Sequence, residues 1–284
     1  MAGRSVTGGF DVSYKTIVAI IQTPGDNERL LQAIVPLASR LGSHIVGVHA
    51  EALPMPIESG MVMPDVEFVT TASEANRSRA AALEAHFSAR LADAAISSEW
   101  RAVESFSGDS AVAARAAART ADLIIASEAS DDTSNNADTD ALLYDTGRPL
   151  LLVPVAGMKE GPFAKVLVAW NGTREAARAA FDALPFIVEA EETTVVTVDA
   201  GTELVNSASQ LAAALARHGA NASVIELAAK GRPVADVIAA QVQMSAADLL
   251  VMGAYGHSRL REFLFGGVTR SLLEAMPVAT FMSR

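Results

Sequence analysis

The stretch Ala121–Ser127, ADLIIAS, returns 126 positions later as Ala247–Gly253, ADLLVMG. A second stretch, Arg148–Val153, RPLLLV, has a counterpart in Met276–Phe281, MPVATF. The apolar runs in these stretches are short, as is typical of strands that are buried on both faces of a sheet. Because similarity at a nearly constant offset indicates a repeated structural unit, the chain is interpreted as two related halves.

Each half also opens with a lysine that leads an apolar run, Lys15–Ile20 in the first and Lys165–Trp170 in the second. These two runs are 150 positions apart, so the first half carries about 24 more residues than the second. The extra residues are predicted to lie between Glu51 and Glu74, where the segment AEALPMPIESGMVMP interrupts any regular pattern. The two units are assigned to residues 1–156 and 163–284, with the connection near Val155–Pro162.

Apolar runs alternate with helical patterns through the second half. The helical segments are rich in alanine, and Thr173 and Gly219 stand at helix ends where a capping residue is expected. Such an alternation requires crossover connections and predicts a parallel sheet with helices on both faces. The predicted fold is therefore α/β, with two tandem doubly wound five-stranded parallel-sheet domains. The predicted strands of the second half are Lys165–Trp170, Thr193–Val198, Ala222–Ile225, Asp248–Met252 and Val278–Met282.

Composition excludes several classes of protein. The 284 residues are 50% hydrophobic and 19% charged, which is typical of a chain with a buried core. The formal net charge of −11 argues against a nucleic-acid partner or an anionic membrane surface. Without cysteine, the chain has no disulfide, zinc–thiolate site or thiol nucleophile. No signal-like or membrane-length apolar run occurs, so a cytoplasmic location is expected.

A glycine-rich segment follows the predicted strand Asp248–Met252. Gly253 and Gly256 stand at the end of that strand, and Gly266 and Gly267 stand before the next helical pattern. Ligands of open parallel sheets bind beyond the carboxyl ends of the strands. Glycines allow a ligand to approach the backbone closely, and free backbone amides at such a turn bind phosphate. Three arginines in the same segment add positive charge: Arg259, Arg261 and Arg270.

The spacing Gly253-x2-Gly256-x9-Gly266 resembles the Gly-x2-Gly-x9-Gly-[Ser/Thr] loop of the universal stress protein family. The opening of the second half, VLVAWNGT at Val166–Thr173, is also similar to that family. The resemblance covers both halves and implies a tandem member with the adenine nucleotide alpha hydrolase-like fold of these proteins. It implies that ATP is the ligand, with AMP, ADP and a magnesium ion as open alternatives.

Carried over residue by residue, the resemblance assigns the glycines to the phosphates and ribose, with Val268 and Thr269 beside them. It places Ala169 to Asn171 and Val198 beside the adenine. The complete set of predicted nucleotide-binding residues is Ala169, Asn171, Val198, Met252, Gly253, Gly256, Gly266, Gly267, Val268 and Thr269.

Two positions depart from the family pattern. Asn171 replaces the usual aspartate after the first strand, which removes a charge and a metal contact. Gly267 replaces a serine or threonine, which removes a hydroxyl bond to phosphate worth about 1 kcal/mol.

The first half has lost the loop. Ser127 stands where the second half has Gly253, and residues 128–140 contain five acids and neither a base nor a glycine. These carboxylates repel phosphate, so the first half is predicted to bind no nucleotide and to have a structural role. The five acids are Glu128, Asp131, Asp132, Asp138 and Asp140.

Similarity to the family also implies how the halves associate. The last strands, Pro149–Val153 and Val278–Met282, are predicted to lie at sheet edges and to pair between halves or between chains. An intrachain pseudo-dimer and a homodimer are both expected.

No catalytic motif is present: the chain lacks a P-loop lysine motif, HExxH, GxSxG and GxGxxG. His257 is interpreted as a loop residue rather than a base, and the acidic run as a solvated loop rather than a calcium site. His44 and His49 are interpreted as strand residues, and Trp170 either as a core residue or as a residue that stacks on a base.

The leading hypothesis is a cytoplasmic, non-catalytic ATP-binding stress-response regulator with no catalytic or metal-binding residues. An interaction scaffold that has lost nucleotide binding is the alternative, and a slow ATPase is the weaker third hypothesis.

Overall fold

The computed structural model describes residues 13–53, 66–129, 136–159, 161–255, 267–274 and 276–284. Two predicted site residues, Gly256 and Gly266, lie outside the described residues, as does His257. In the first half the elements are β1 (Thr16–Ile20), α1 (Pro24–Leu41), β2 (His44–Ala52), α2 (Val66–Asp93), β3 (Ser98–Ser105), α3 (Ser110–Ala118), β4 (Leu123–Ser127), α4 (Thr139–Asp145) and β5 (Leu150–Val153).

The second half repeats this order of strands, and all five of its predicted strands are confirmed. The first helical segment of the second half, predicted from the alanine-rich sequence REAARAAFDALPFI at Arg174–Ile187, is divided in two after Asp182, because Pro185 has no amide hydrogen to continue the helical hydrogen bonds. The elements are β6 (Lys165–Ala169), α5 (Arg174–Asp182), α6 (Leu184–Glu189), β7 (Glu192–Val198), α7 (Thr202–Arg217), β8 (Ala222–Leu227), α8 (Val234–Ser245), β9 (Leu249–Gly253), α9 (Val268–Glu274) and β10 (Ala279–Ser283).

All ten strands form one sheet with the order β3-β2-β1-β4-β5-β10-β9-β6-β7-β8. Pairing is parallel within each half, whereas β5 and β10 pair antiparallel, with Leu152 opposite Thr280 and Leu150 opposite Met282. The prediction that the last strands pair is therefore confirmed, and the pairing is between the halves. The two predicted five-stranded sheets are continuous with each other at the centre of the molecule.

The two faces of the sheet are covered by different helices. Ile17 and Ala19 of β1 point into a core formed with α1, α2, α5, α6 and α7. Val18 and Ile20 of the same strand point into a second core formed with α3, α4, α8 and α9. This alternation is the period of two expected for a strand that is buried on both faces.

The extra length of the first half lies between β2 and β3. Thirteen residues connect β2 to α2, against three between β7 and α7, and α2 has 28 residues against 16 in α7. The prediction located the insertion correctly at its start. From Val66 onward the additional length is helical and belongs to α2.

The repeated Ala-Asp-Leu sequence has a shared structural role. Asp122 accepts hydrogen bonds from the backbone amides of Lys15 and Thr16, at 2.8 and 2.9 Å. Asp248 accepts the equivalent bonds from the amides of Ala164 and Lys165, both at 3.0 Å. In each half the aspartate before the fourth strand thus satisfies backbone donors at the start of the first strand.

Candidate functional site

The carboxyl ends of β6, β7 and β9 meet at one edge of the sheet in the second half. Ala169 at the end of β6 lies opposite Met252 of β9 and Val196 of β7. The chain runs outward from β6 through β7 to β8 and then returns to β9 on the other side of β6. Strand order therefore reverses between β6 and β9, which is where open α/β sheets bind their ligands.

The three predicted adenine-side residues lie at this edge. Ala169 and Val198 are half-buried and pack against the core beneath α8 and α9, while Asn171 is exposed in the turn after β6. The Asn171 Oδ1 atom accepts hydrogen bonds from the Thr173 amide at 3.2 Å and the Thr173 hydroxyl at 2.8 Å. Thr173 in turn caps α5, so Asn171 is oriented by the start of that helix.

Trp170 follows Ala169 but belongs to the opposite face of the sheet. Its ring packs against the core beneath α5, α6 and α7, and its Nε1 donates to the Ser207 hydroxyl at 3.1 Å. Of the two interpretations made from the sequence, the core position is confirmed.

Gly253, at the end of β9, is tightly packed against the first turn of α5. A Cβ atom at this position would overlap the Ala176 amide nitrogen and would lie 2.6 Å from the Glu175 carbonyl carbon. Both atoms belong to backbone, so they cannot move aside as the end of a long side chain can. Glycine is thus required here by helix packing, whatever ligand the site takes.

Thr269 connects α9 to the end of β9. It is buried, and its hydroxyl accepts a hydrogen bond from the Tyr255 amide at 3.4 Å. Gly267 and Val268 are half-buried, and the Gly267 carbonyl accepts the Ser271 amide of the first turn of α9 at 3.1 Å. These three predicted residues therefore lie together at the start of α9, beside the strand end that carries Gly253.

Residues 162–284 match the model of the universal stress protein family. The second half of this chain belongs to the universal stress protein family. In this universal stress protein domain, the ends of β6, β7 and β9 lie near the start of α9. These elements carry seven of the predicted nucleotide-binding residues: Ala169, Val198, Met252, Gly253, Gly267, Val268 and Thr269.

The fold of the whole chain is similar to that of solved structures. A universal stress protein from Archaeoglobus fulgidus is 15% identical with a TM-score of 0.70, over 94% of this chain and 96% of that one. A functionally unknown protein from Pseudomonas aeruginosa is 15% identical with a TM-score of 0.56, over 95% of this chain and 92% of that one. The sequence matches no curated protein. At these identities the comparison shows that the fold is shared across both halves.

The acidic segment of the first half contacts the universal stress protein domain. Glu128 accepts a hydrogen bond from the Met276 amide of that domain at 3.3 Å and another from the Val155 amide of its own half at 2.7 Å. Asp140 accepts one from the Tyr255 hydroxyl at 2.5 Å. For these two acids the interpretation as part of a solvated loop was wrong, because their carboxylates join the two halves.

Asp138 of the same segment caps α4 by accepting the Ala141 amide at 3.1 Å. Asp131 and Asp132 lie outside the described residues. Within the described parts of the chain, no group of three or more histidine, cysteine, aspartate or glutamate side chains is placed to hold a metal ion. Nor does any described helix have the length and apolar character needed to cross a membrane.

Sequence reasoning missed a cavity in the first half. It has a volume of about 660 Å³ and lies beyond the carboxyl ends of β1 and β2, between α1 and α2. His49 contributes to its floor and is a buried strand residue, as predicted, with its Nδ1 donating to the Ile21 carbonyl at 2.9 Å. The signal that could have found the cavity is the stripe of Asn76, Arg79, Leu83 and His86, whose spacing of three and four places them on one face of α2.

Proposed function

We propose that the second half of the chain binds ATP without turning it over, and that the protein acts as a cytoplasmic regulator of the stress response. The observation that carries this proposal is the coincidence of two features in a universal stress protein domain. The strand-order reversal falls between β6 and β9, and the glycine pattern begins at Gly253, the last residue of β9.

The proposed roles follow the positions of the residues around that crevice. Ala169, Asn171 and Val198 border the adenine, while Gly253, Gly256, Gly266 and Gly267 contact the ribose and phosphates. Met252, Val268 and Thr269 form the wall behind the ligand, since Met252 and Thr269 are buried and the Thr269 hydroxyl already holds the Tyr255 amide.

Asn171 bears on the role of a metal ion. Its Oδ1 is engaged by Thr173, and the neutral amide brings no negative charge toward a cation. Magnesium therefore reaches this site only through the nucleotide, and we expect ATP affinity to change little when magnesium is removed. The variant Asn171→Asp should introduce a dependence on magnesium.

A scaffold without a ligand is the second candidate function, and two observations favour it. Gly253 is explained by its packing against α5, and the Thr269 hydroxyl is explained by its bond to Tyr255. Both residues would be required in a domain that binds no nucleotide. A slow ATPase, the third candidate, differs from the leading proposal only in releasing phosphate over time.

Isothermal titration with ATP, ADP and AMP, each with and without magnesium, tests the proposal. Saturable binding of ATP is expected. Absence of binding heat at ATP concentrations up to about 1 mM would favour the scaffold; a dissociation constant of that size corresponds to a binding free energy of about −4.1 kcal/mol. Mass analysis of the purified protein provides an independent readout, because a tight site retains its nucleotide.

Paired variants locate the site. Gly266→Glu should abolish binding by placing a carboxylate at the third glycine of the pattern, where the phosphates are proposed to lie. Ala129→Glu adds the same charge to an exposed position in the corresponding segment of the first half and should leave binding unchanged. Equal loss in both variants would contradict a single site in the second half.

A further inference from the structure

The cavity in the first half is built from four parts of the fold. The start of α1 contributes Asn27 and Glu28, the end of β2 contributes His49 to Ala52, and the connection from β3 to α3 contributes Ser107 to Asp109. The long helix α2 closes the remaining side with the face that carries Arg79 and Leu83. A volume of about 660 Å³ is within the range of small-molecule sites.

The polar groups of the cavity are held in place by hydrogen bonds. Arg79 donates to both Glu51 carboxylate oxygens, at 3.0 and 2.8 Å, and His49 Nε2 lies 3.3 Å from the same carboxylate. Gln22 donates to the Gly108 carbonyl at 2.7 Å and accepts the Ser110 amide at 2.8 Å. These bonds fix the walls before a ligand arrives, which lowers the entropy cost of binding.

The charge of the cavity is negative. Among the described residues that line it, the carboxylates are Glu28, Glu51 and Asp109, and the one residue that is always cationic is Arg79. Arg79 is paired with Glu51, so it is compensated within the wall. Glu28 is paired with His86 at 2.9 Å, whereas Asp109 has no ion pair among the described residues, and these two carboxylates give the lining its excess negative charge.

Two of these carboxyl groups, Glu51 and Glu28, have lowered pKa values. Burial tends to raise the pKa of Glu51, but its hydrogen bonds to Arg79 and His49 outweigh that effect and lower the pKa below its usual value. Hydrogen bonds from Gln32 and His86 lower the pKa of Glu28. Asp109 caps α3 by accepting the Ala111 and Val112 amides, at 2.8 and 3.3 Å.

Negative charge and apolar surface occur together in this cavity. Pro24, Ala50, Ala82 and Leu83 supply the apolar surface between the charged groups. A phosphate would be repelled by Glu28 and Asp109, whereas a cation would be attracted to them. We propose that this cavity binds a small organic ammonium ion, whose apolar body lies against Leu83 and whose charge lies near Glu28 and Asp109. The site is in the opposite half from the proposed nucleotide site and does not depend on it.

Calorimetric titration of the full chain with phenethylamine at low ionic strength tests the proposal. Saturable binding of one equivalent is expected, with binding at least about tenfold weaker for phenethyl alcohol, which has the same body without the charge. Comparable affinity for the alcohol, or no saturable binding of the amine, would overturn the proposal.

Two pairs of variants on the full chain separate the cavity from the general attraction of an acidic protein for cations. Ala82→Trp fills the cavity from an exposed helix position, and Ala85→Trp places the same ring on α2 away from the lining. We expect a loss of tenfold or more, about 1.4 kcal/mol, from the first and no change from the second. Equal effects of the two would overturn the proposal.

The second pair tests the charge. Glu28→Gln removes a carboxylate that lines the cavity, and Glu84→Gln removes one from the exposed surface of α2. A three- to tenfold loss of phenethylamine affinity is expected for Glu28→Gln, roughly 0.7 to 1.4 kcal/mol, with no loss for Glu84→Gln.

A titration with AMP tests whether the cavity takes a phosphorylated ligand instead of a cation. Binding of AMP that Ala82→Trp blocks and Gly266→Glu leaves intact would show that the cavity takes a phosphorylated ligand, contrary to the proposal.

Discussion

The strands β4 and β9 hold equivalent places in the two halves, yet β4 ends in Ser127 and β9 ends in Gly253. At Gly253 the backbone of α5 lies so close that a Cβ atom would overlap it. At Ser127 a side chain is accommodated, and its hydroxyl is buried without a hydrogen-bond partner among the described residues. The same fold thus places a helix tightly against the strand end in one half and leaves room for a side chain in the other.

The two halves agree where residues maintain the sheet. Asp122 and Asp248 both accept amides at the start of a first strand, and Thr23 and Thr173 both cap the helix that follows it. They differ at the carboxyl ends of the strands, where ligands bind in this type of fold. Gln22, which is half-buried and bonds to Gly108 and Ser110, stands at the register position where the second half has the exposed Asn171. The shared residues therefore support the fold, and the divergent ones distinguish the two candidate sites.

The largest expected effect comes from Gly253→Ala. The added Cβ overlaps the α5 backbone, so the helix must move away from β9, and we expect the free energy of unfolding to fall by about 3 kcal/mol. Urea-induced unfolding followed by circular dichroism measures this change.

Ser127→Ala is the matched control for that variant. Because it removes a buried hydroxyl that has no described partner, its stability should be unchanged or increased. A loss as large as that of Gly253→Ala would contradict the packing difference between the two strand ends.

Asp248→Asn is expected to cost about 2 kcal/mol at neutral pH. The side chain accepts two backbone amides and pairs with Lys159, and these interactions outweigh burial and lower the pKa of Asp248. A lowered pKa in the folded state stabilises the protein above the unfolded value of about 3.9, and this stabilisation is lost as the pH falls through the folded value.

The stability difference between the wild type and Asp248→Asn should therefore shrink below about pH 4, as measured by unfolding at a series of pH values. Asp122→Asn removes the equivalent carboxylate and should cost less, because among the described residues Asp122 accepts two backbone amides and pairs with no lysine. Equal costs would indicate that Lys159 adds nothing to the second half.

Glu128→Gln tests whether the acidic segment stabilises the contact between halves. The amide keeps one acceptor oxygen, so one of the two bonds to Val155 and Met276 is weakened, at a cost of about 1 kcal/mol. Glu99→Gln on the exposed strand β3 is the control and should change thermal stability little.

The smallest effect is expected from Tyr255→Phe. It removes the hydroxyl that donates to Asp140 but keeps the ring beside Tyr144, with ring centroids 5.0 Å apart. We expect a loss of about 0.5 kcal/mol in unfolding free energy. If the contact also positions the glycine segment, ATP affinity measured by calorimetry should fall, and an unchanged affinity would confine Tyr255 to a structural role.

Much of the fold could be predicted because its signals are local. Short apolar runs correctly predicted strands that are buried on both faces. Alanine-rich segments with capping residues such as Thr173 correctly predicted helices between them. The division at Pro185 was missed because the apolar pattern continues through it. For the candidate site, the sequence predicted that Ala169, Val198 and Met252 lie at strand ends on one edge of the sheet. This was possible because the alternation of strands and helices along the chain implies a parallel sheet.

The sequence by itself therefore determined the repeat, the two-faced strands and the position of the glycine pattern. Only the tertiary structure decided that β5 and β10 pair antiparallel, that α5 packs on Gly253, and that α1 and α2 enclose an acidic cavity. Glu128 likewise reaches Met276 across 148 positions of sequence. The physical reason is that these contacts join side chains and backbone from distant parts of the chain. Their geometry depends on how whole elements pack, which leaves no periodic pattern in the sequence of either element.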